Sequence, residues 1–242
     1  MAEEVLTQQP ETEAPPVDPA LTHIPVWSET QRGLRLLRAA LIALIVTDAL
    51  GTTIAFTSFG SSVAPAFALA SLVPWGLVLL ATGRIERDVP DDASRRLARR
   101  ALLLAGAAAA FAVPNVALGF GDHRPNAVAP AVLSLGATVF GALALGALFA
   151  LFDRFAFVMG RLDVCVTYRR VPLLVVAMIV LDLLIFGVTL DLRAGRDSIA
   201  LVFLTALGFM AAWFTLLGVI LAMTARLRKV LPHESQVTRA FD

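Results

Sequence analysis

Apolar residues run without alternation through six stretches of the 242-residue chain, 39–59, 63–83, 101–119, 127–152, 172–190 and 198–224, and polar residues collect between them. About 20 apolar residues rise about 30 Å as a helix, which is the thickness of a bilayer's hydrocarbon core. A membrane barrel would show alternating positions instead, and only a helix satisfies the backbone of a continuous run in lipid. The pattern predicts an all-α, polytopic membrane protein: six transmembrane helices arranged as three consecutive hairpins. Gly60, Ser61 and Ser62 are expected to form the tight turn of the first hairpin.

Charge placement orients this array. None of the six stretches contains Lys, Arg or His. Three arginines precede the first (Arg32, Arg35, Arg38), six lie between the second and third, four between the fourth and fifth, and four basic residues follow the sixth. The opposite side carries only Arg124, Arg193 and Arg196. The excess of positive charge in short inner loops predicts that both termini are cytoplasmic. Arginines beside helix ends also suit anionic lipid head groups, and no aromatic residues are interleaved with them as nucleic-acid stacking would require.

The extramembrane parts are small. Residues 1–31 hold Glu3, Glu4, Glu11, Glu13, Asp18 and Glu29, no Lys or Arg, and five prolines, so a disordered acidic tail is expected, with no removable secretory signal. Trp27 to Arg38 reads as a short amphipathic stretch anchored at the interface by its tryptophan. A six-helix domain over residues 32–230 and a short cytoplasmic tail over 231–242 complete the division. The linker from Asp153 to Val171 either prolongs the fourth helix or lies along the interface, and nothing in it marks a folded domain. The helix exits Gly83-Arg84-Ile85, Gly160-Arg161-Leu162 and Ala225-Arg226-Leu227 resemble one another, as three repeated hairpin units would. Pro90 and Pro232 are expected to stop the helices before them.

A hydrophobic share of 58%, a charged share of 16% and a mean hydropathy of +0.78 exclude an ordinary soluble globular domain, where those shares are about one half and one quarter. The lone Cys165 cannot form a disulfide within the chain, and His23, His123 and His233 are too dispersed for one metal site. The chain has no Walker loop, G-x-G-x-x-G, His-Glu-x-x-His, G-x-S-x-G or Cys-x-x-Cys. These absences argue against an enzyme and against any cofactor or metal.

The residues that remain as candidates lie inside the apolar stretches. Asp48 and Asp182 fall about 15 and 18 Å beyond Arg38 and Arg170 along their helices, near the bilayer midplane. An aspartate there costs about 2.5 to 3.5 kcal/mol on insertion scales, so it is expected to face the bundle interior. With no basic residue in any segment, neither has an intramembrane ion-pair partner in the chain. A neutral aspartic acid in such a place donates a hydrogen bond or carries a proton, and two that meet can share one. Thr52 lies one turn from Asp48 on the same face, whereas Asp182 has Met178, Ile179, Ile185 and Phe186 as helical neighbours. Asn115 beside Pro114 can line a cavity, and Pro114 and Pro74 are candidate helix kinks. Ala137 and Gly141, then Ala142 and Gly146, give the fourth helix spacings that favour close packing.

These features make a small proton- or cation-linked transporter in a bacterial plasma membrane the leading expectation, with Asp48, Asp182, Thr52 and Asn115 as ion- or proton-binding candidates. The alternative is a non-catalytic subunit of a larger membrane assembly, or a homo-oligomer, in which the acids meet basic groups of a partner. A lipid-modifying enzyme is the weakest reading, resting only on Asp122 beside His123 in an outer loop.

Overall fold

The computed structural model describes residues 27–55, 60–89, 91–119, 128–158, 171–191 and 198–231. Residues 1–26 of the acidic tail, Asp122, the three histidines, Cys165, most of the 153–171 linker and residues 232–242 lie outside the described residues, whereas Gly60, Ser61 and Ser62, expected as the first hairpin turn, are helical, and residues 28–31 of the expected disordered tail are helical too. The described residues form six helices: α1 (Ser28–Ala55), α2 (Gly60–Asp88), α3 (Asp92–Gly119), α4 (Val128–Val158), α5 (Val171–Asp191) and α6 (Ser198–Val230). No strand occurs among the described residues. Leu69–Asp88, Asp92–Leu118, Val128–Val158 and Phe203–Lys229 are long and apolar enough to cross a membrane, and Val171–Gly187 is a shorter apolar helix. The protein is a helical integral membrane protein.

Every helix except α5 outruns its apolar stretch at the arginine-rich end. Residues 28–38, 84–88, 92–100, 153–158 and 225–230 are all helical, because a polar helix end stays hydrogen-bonded whether lipid or water surrounds it. The amphipathic stretch expected at Trp27–Arg38 is therefore the first three turns of α1. Trp27 does not anchor in an interface: it is buried, edge-on to Phe155 of α4 with ring centroids 5.4 Å apart. The linker's opening prolongs α4 as far as Val158. α2 and α6 each end two residues before their proline, where the residue preceding Pro is pushed out of helical geometry.

The helices close into a ring. α1 packs on α2, α2 on α3, α3 on α4, α4 on α5, α5 on α6 and α6 back on α1, with α4 also touching α6. The three hairpins α1–α2, α3–α4 and α5–α6 are the sequential neighbours that the pattern predicts. α1 and α5 are not packed partners, so Asp48 and Asp182 do not meet across a shared helix pair.

Inward-facing positions alternate steps of three and four along every helix, the spacing that keeps one seam on a neighbouring helix. In α1 the buried series is Leu34, Leu37, Leu41, Leu44; in α4 it is Leu145, Leu148, Phe152, Phe155. In α3 it consists of Ala98, Ala101, Ala105 and Ala108, small residues that let the backbones of neighbouring helices approach closely. The same logic acts at Gly33 of α1, where a Cβ would stand 2.6 Å from Ile85 Cγ1 and 2.9 Å from the Ala81 carbonyl oxygen of α2. Outward positions such as Val46, Val73, Leu103, Val113, Val176 and Leu204 are large, apolar and exposed on the protein's own surface, as a lipid solvent requires.

The buried core gathers in the arginine-rich half, where Leu37, Ile85, Leu151, Phe152, Ile220 and Leu227 form one cluster. Polar contacts finish that end. The Thr30 backbone N–H donates to Asp88 Oδ2 at 3.1 Å, joining α1 to α2. Asp91 caps α3: its Oδ2 accepts from the Ser94 backbone N–H at 3.2 Å, and Arg154 Nε of α4 stands 3.5 Å from the same oxygen. Burial alone would raise the Asp91 carboxyl, but the Ser94 hydrogen bonds and the Arg154 charge outweigh it and hold it below the ordinary aspartate value. A lowered native value stabilises the fold above the unfolded value of about 3.9, and that contribution is lost as the pH falls through the native one. Asp91→Ala is expected to lower stability by about 1 kcal/mol, the usual worth of an N-cap, read as a lower melting temperature in detergent at neutral pH. The difference between wild type and variant narrows on acidification below pH ~4.

Candidate functional site

The inner stripes of five helices change character in the other half of the bundle. Continued outward from the core, the α1 series reaches Asp48 and Thr52, the α2 series runs through Trp75 to Ser71, and the α3 series ends at Ala112 and Asn115. The α4 stripe reaches Thr138 and Ser134, and the α6 stripe runs through Trp213 to Phe209. These side chains surround a cavity of about 410 Å³. Its deepest lining residues lie near the midplane and its outermost near the end away from the arginines: Trp75 is about 13 Å from Arg84, and Asn115 about 22 Å from Arg100. Among the described residues, apolar packing fills the arginine-rich half of the bundle and the hollow lies in the other half.

Among the described residues, Asp48 is the only charged one in the lining. Trp213 Nε1–H donates to Asp48 Oδ2 at 2.8 Å, linking the neighbouring helices α6 and α1 at the wall of the hollow. The hydroxyl of Thr52, on the same face, donates to the Asp48 backbone carbonyl at 2.7 Å rather than to the carboxylate. Thr138 likewise donates to the Ser134 carbonyl at 3.1 Å. The Thr52 back-bond spends the single proton of its hydroxyl on its own helix, so that oxygen presents lone pairs elsewhere.

Asp182 does not line the cavity. It continues the α5 stripe of Val171, Val175 and Met178 inward, and its side chain hydrogen-bonds Thr138, whose other side faces the hollow. Asp182 Oδ2 is shielded from the surface and has no hydrogen-bond partner. The single Thr138 hydroxyl proton thus has two acceptors within reach, the Ser134 carbonyl and the Asp182 carboxylate. The two carboxylates therefore stand on opposite sides of Thr138, one open to the cavity and one behind it.

Both candidate kink prolines immediately precede a lining residue. Pro74 comes before Trp75 and Pro114 before Asn115. Each lies within a continuous helix, where its missing N–H frees the carbonyl four residues earlier, that of Ala70 or Ala110. Gly141 of α4 supports the site from behind: a Cβ there would stand 3.0 Å from Trp75 Cη2, so the bare backbone makes room for the indole.

Trp75, Trp213, Ser134 and Thr138 are site residues that hydropathy alone passes over. One signal exists for the tryptophans, which favour membrane interfaces, whereas these two lie well inside their helices. Among the described residues no three His, Cys, Asp or Glu side chains come together as a metal site would need. No family model, curated protein or solved structure matches the chain.

Proposed function

We propose that this protein is a small proton- or cation-linked transporter of a bacterial plasma membrane, with six membrane crossings, both termini in the cytoplasm and Asp48 as the exchange site. The observation that carries this reading is a carboxylate with no counter-charge among the described residues, lining a cavity in the half of the helix bundle away from the arginine-rich apolar core. The arginine clusters orient the apolar-packed half toward the cytoplasm, since positive charge concentrates in inner loops. The hollow then faces outward, the arrangement of one end state of alternating access. Pro74 and Pro114 free backbone carbonyls beside the site, and the helices can bend there as the cavity changes sides.

Asp48 and Asp182 form a two-step proton path through Thr138. Both face the inside of the bundle, which supports this assignment over contact with the basic groups of a partner subunit. In proteoliposomes loaded with a pH-sensitive dye, wild-type protein is expected to speed the collapse of an imposed pH gradient, and an Asp48→Asn, Asp182→Asn double variant is expected to reduce that rate to the protein-free background. Wild-type flux that survives unchanged in the double variant overturns the proposal.

A further inference from the structure

We infer that the cavity recognises a small monovalent organic cation, an ammonium carrying apolar substituents. This rests on the same site as the transport reading and deepens it, but it is a statement about binding and stands or falls separately.

The sign of the ligand follows from the lining. Among the described residues one carboxylate and no basic residue face the hollow, and none of the six apolar stretches supplies a cation. A buried carboxylate without a counter-charge is costly, so a positively charged ligand completes the site and an anion does not. One negative charge matches one positive charge.

Size excludes a bare ion. A dehydrated metal ion needs several oxygen, nitrogen or sulfur ligands at about 2 to 2.6 Å, whereas the described lining offers a single carboxylate, one amide and hydroxyls distributed over α1, α2 and α4, and no three His, Cys, Asp or Glu side chains gather among the described residues. A volume of about 410 Å³ falls instead within the range of about 300 to 1,000 Å³ typical of small-molecule sites.

The chemistry of the walls selects the ligand's shape. Trp75, Trp213 and Phe209 supply three aromatic rings, and Met210 and Val116 add soft apolar surface. Aromatic faces attract ammonium groups, most strongly where water is excluded, and tryptophan is the best of them. The bond from Nε1 fixes the Trp213 indole beside Asp48 while engaging only Oδ2. The charged head is thus held between Asp48 and the indoles, its apolar substituents lie against Phe209 and Met210, and the amide of Asn115 accepts a remaining N–H.

The test uses the full chain in lipid nanodiscs, followed by intrinsic tryptophan fluorescence. Two of its three tryptophans line the cavity, and Trp27→Phe removes the third. The probes are 2-phenylethylammonium, its neutral isostere 2-phenylethanol, and sodium ion. The expected result is a saturable change with the ammonium, binding at least about tenfold weaker for the alcohol, and no competition from sodium. Asp48→Asn brings the ammonium down to the affinity of the alcohol. Equal binding of ammonium and alcohol by the wild-type protein, which needs no variant to fold, overturns the inference. So does ammonium affinity that is unchanged in Asp48→Asn. Saturable ammonium binding without any gradient-driven flux keeps the site and removes the transport reading; proton flux without ammonium binding does the reverse.

Discussion

Asp48→Asn is expected to cut gradient-driven flux by about 100-fold while the protein stays folded. Asparagine has the size and shape of aspartate, and its side-chain oxygen still accepts from Trp213 Nε1, so the link between α1 and α6 survives. What disappears is the charge. A charge-assisted interaction is worth about 1.5 to 3 kcal/mol, and the upper end of that range corresponds to about 100-fold in binding. Trp213→Phe makes the complementary change, keeping the carboxylate and removing the donor that aims it. It is expected to weaken flux by a smaller factor and to shift half-saturation more than maximal rate. Equal flux in Asp48→Asn and wild type, measured on protein with matching melting temperatures, contradicts the assignment of Asp48.

The largest effect on stability is expected far from the cavity, at Gly33. Its approach to α2 leaves no room for a side chain: the first obstacle is the Ile85 side chain and the second is the Ala81 main-chain oxygen. Overpacking of this kind costs about 1 to 3 kcal/mol, so Gly33→Ala is expected to lower the melting temperature clearly and Gly33→Val to prevent recovery of folded protein. Pairing Gly33→Ala with Ile85→Ala relieves the side-chain clash but not the contact with the carbonyl, so rescue is partial. Gly106→Ala serves as the control, because a Cβ there meets nothing within 4 Å and alanine favours the helix by about 1 kcal/mol. A Gly33→Ala protein as stable as Gly106→Ala would contradict the packing of α1 on α2.

The six helices, their pairing into hairpins and the inward aim of Asp48 were legible because each follows from the cost of polar groups in lipid. That cost is local to one segment, and so are the prolines and Asn115. The cavity itself was not legible. It exists because the stripes of five helices place Ser71, Asn115, Ser134 and Thr138 at matching heights once the hairpins assemble, and hydropathy carries no information about height between helices. The 3-4 spacing was nevertheless present in the sequence. Extending the stripe of Leu34, Leu37, Leu41 and Leu44 by one step lands on Asp48, and extending Val171, Val175 and Met178 by one step lands on Asp182. Helix ends were misjudged for the opposite reason: hydropathy marks where lipid stops, and the backbone ladder continues past it, as in residues 28–38 of α1. The partner of Asp182 was hidden as well, since Thr138 reaches it only through the packing of α4 on α5.

The central claim is that Asp48 opens into water from the side opposite the arginine clusters. Substituted-cysteine labelling tests it most directly. With Cys165 replaced by alanine, single cysteines are placed at Thr52 and Asn115 on the cavity wall and at Val113 on the outward face of α3, and each is exposed to a membrane-impermeant thiol reagent from either side of sealed vesicles. The account predicts rapid reaction at residues 52 and 115 from the side away from the arginine-rich ends, and none at 113. Unreactive cysteines at both cavity positions, or labelling only from the arginine-rich side, would contradict it.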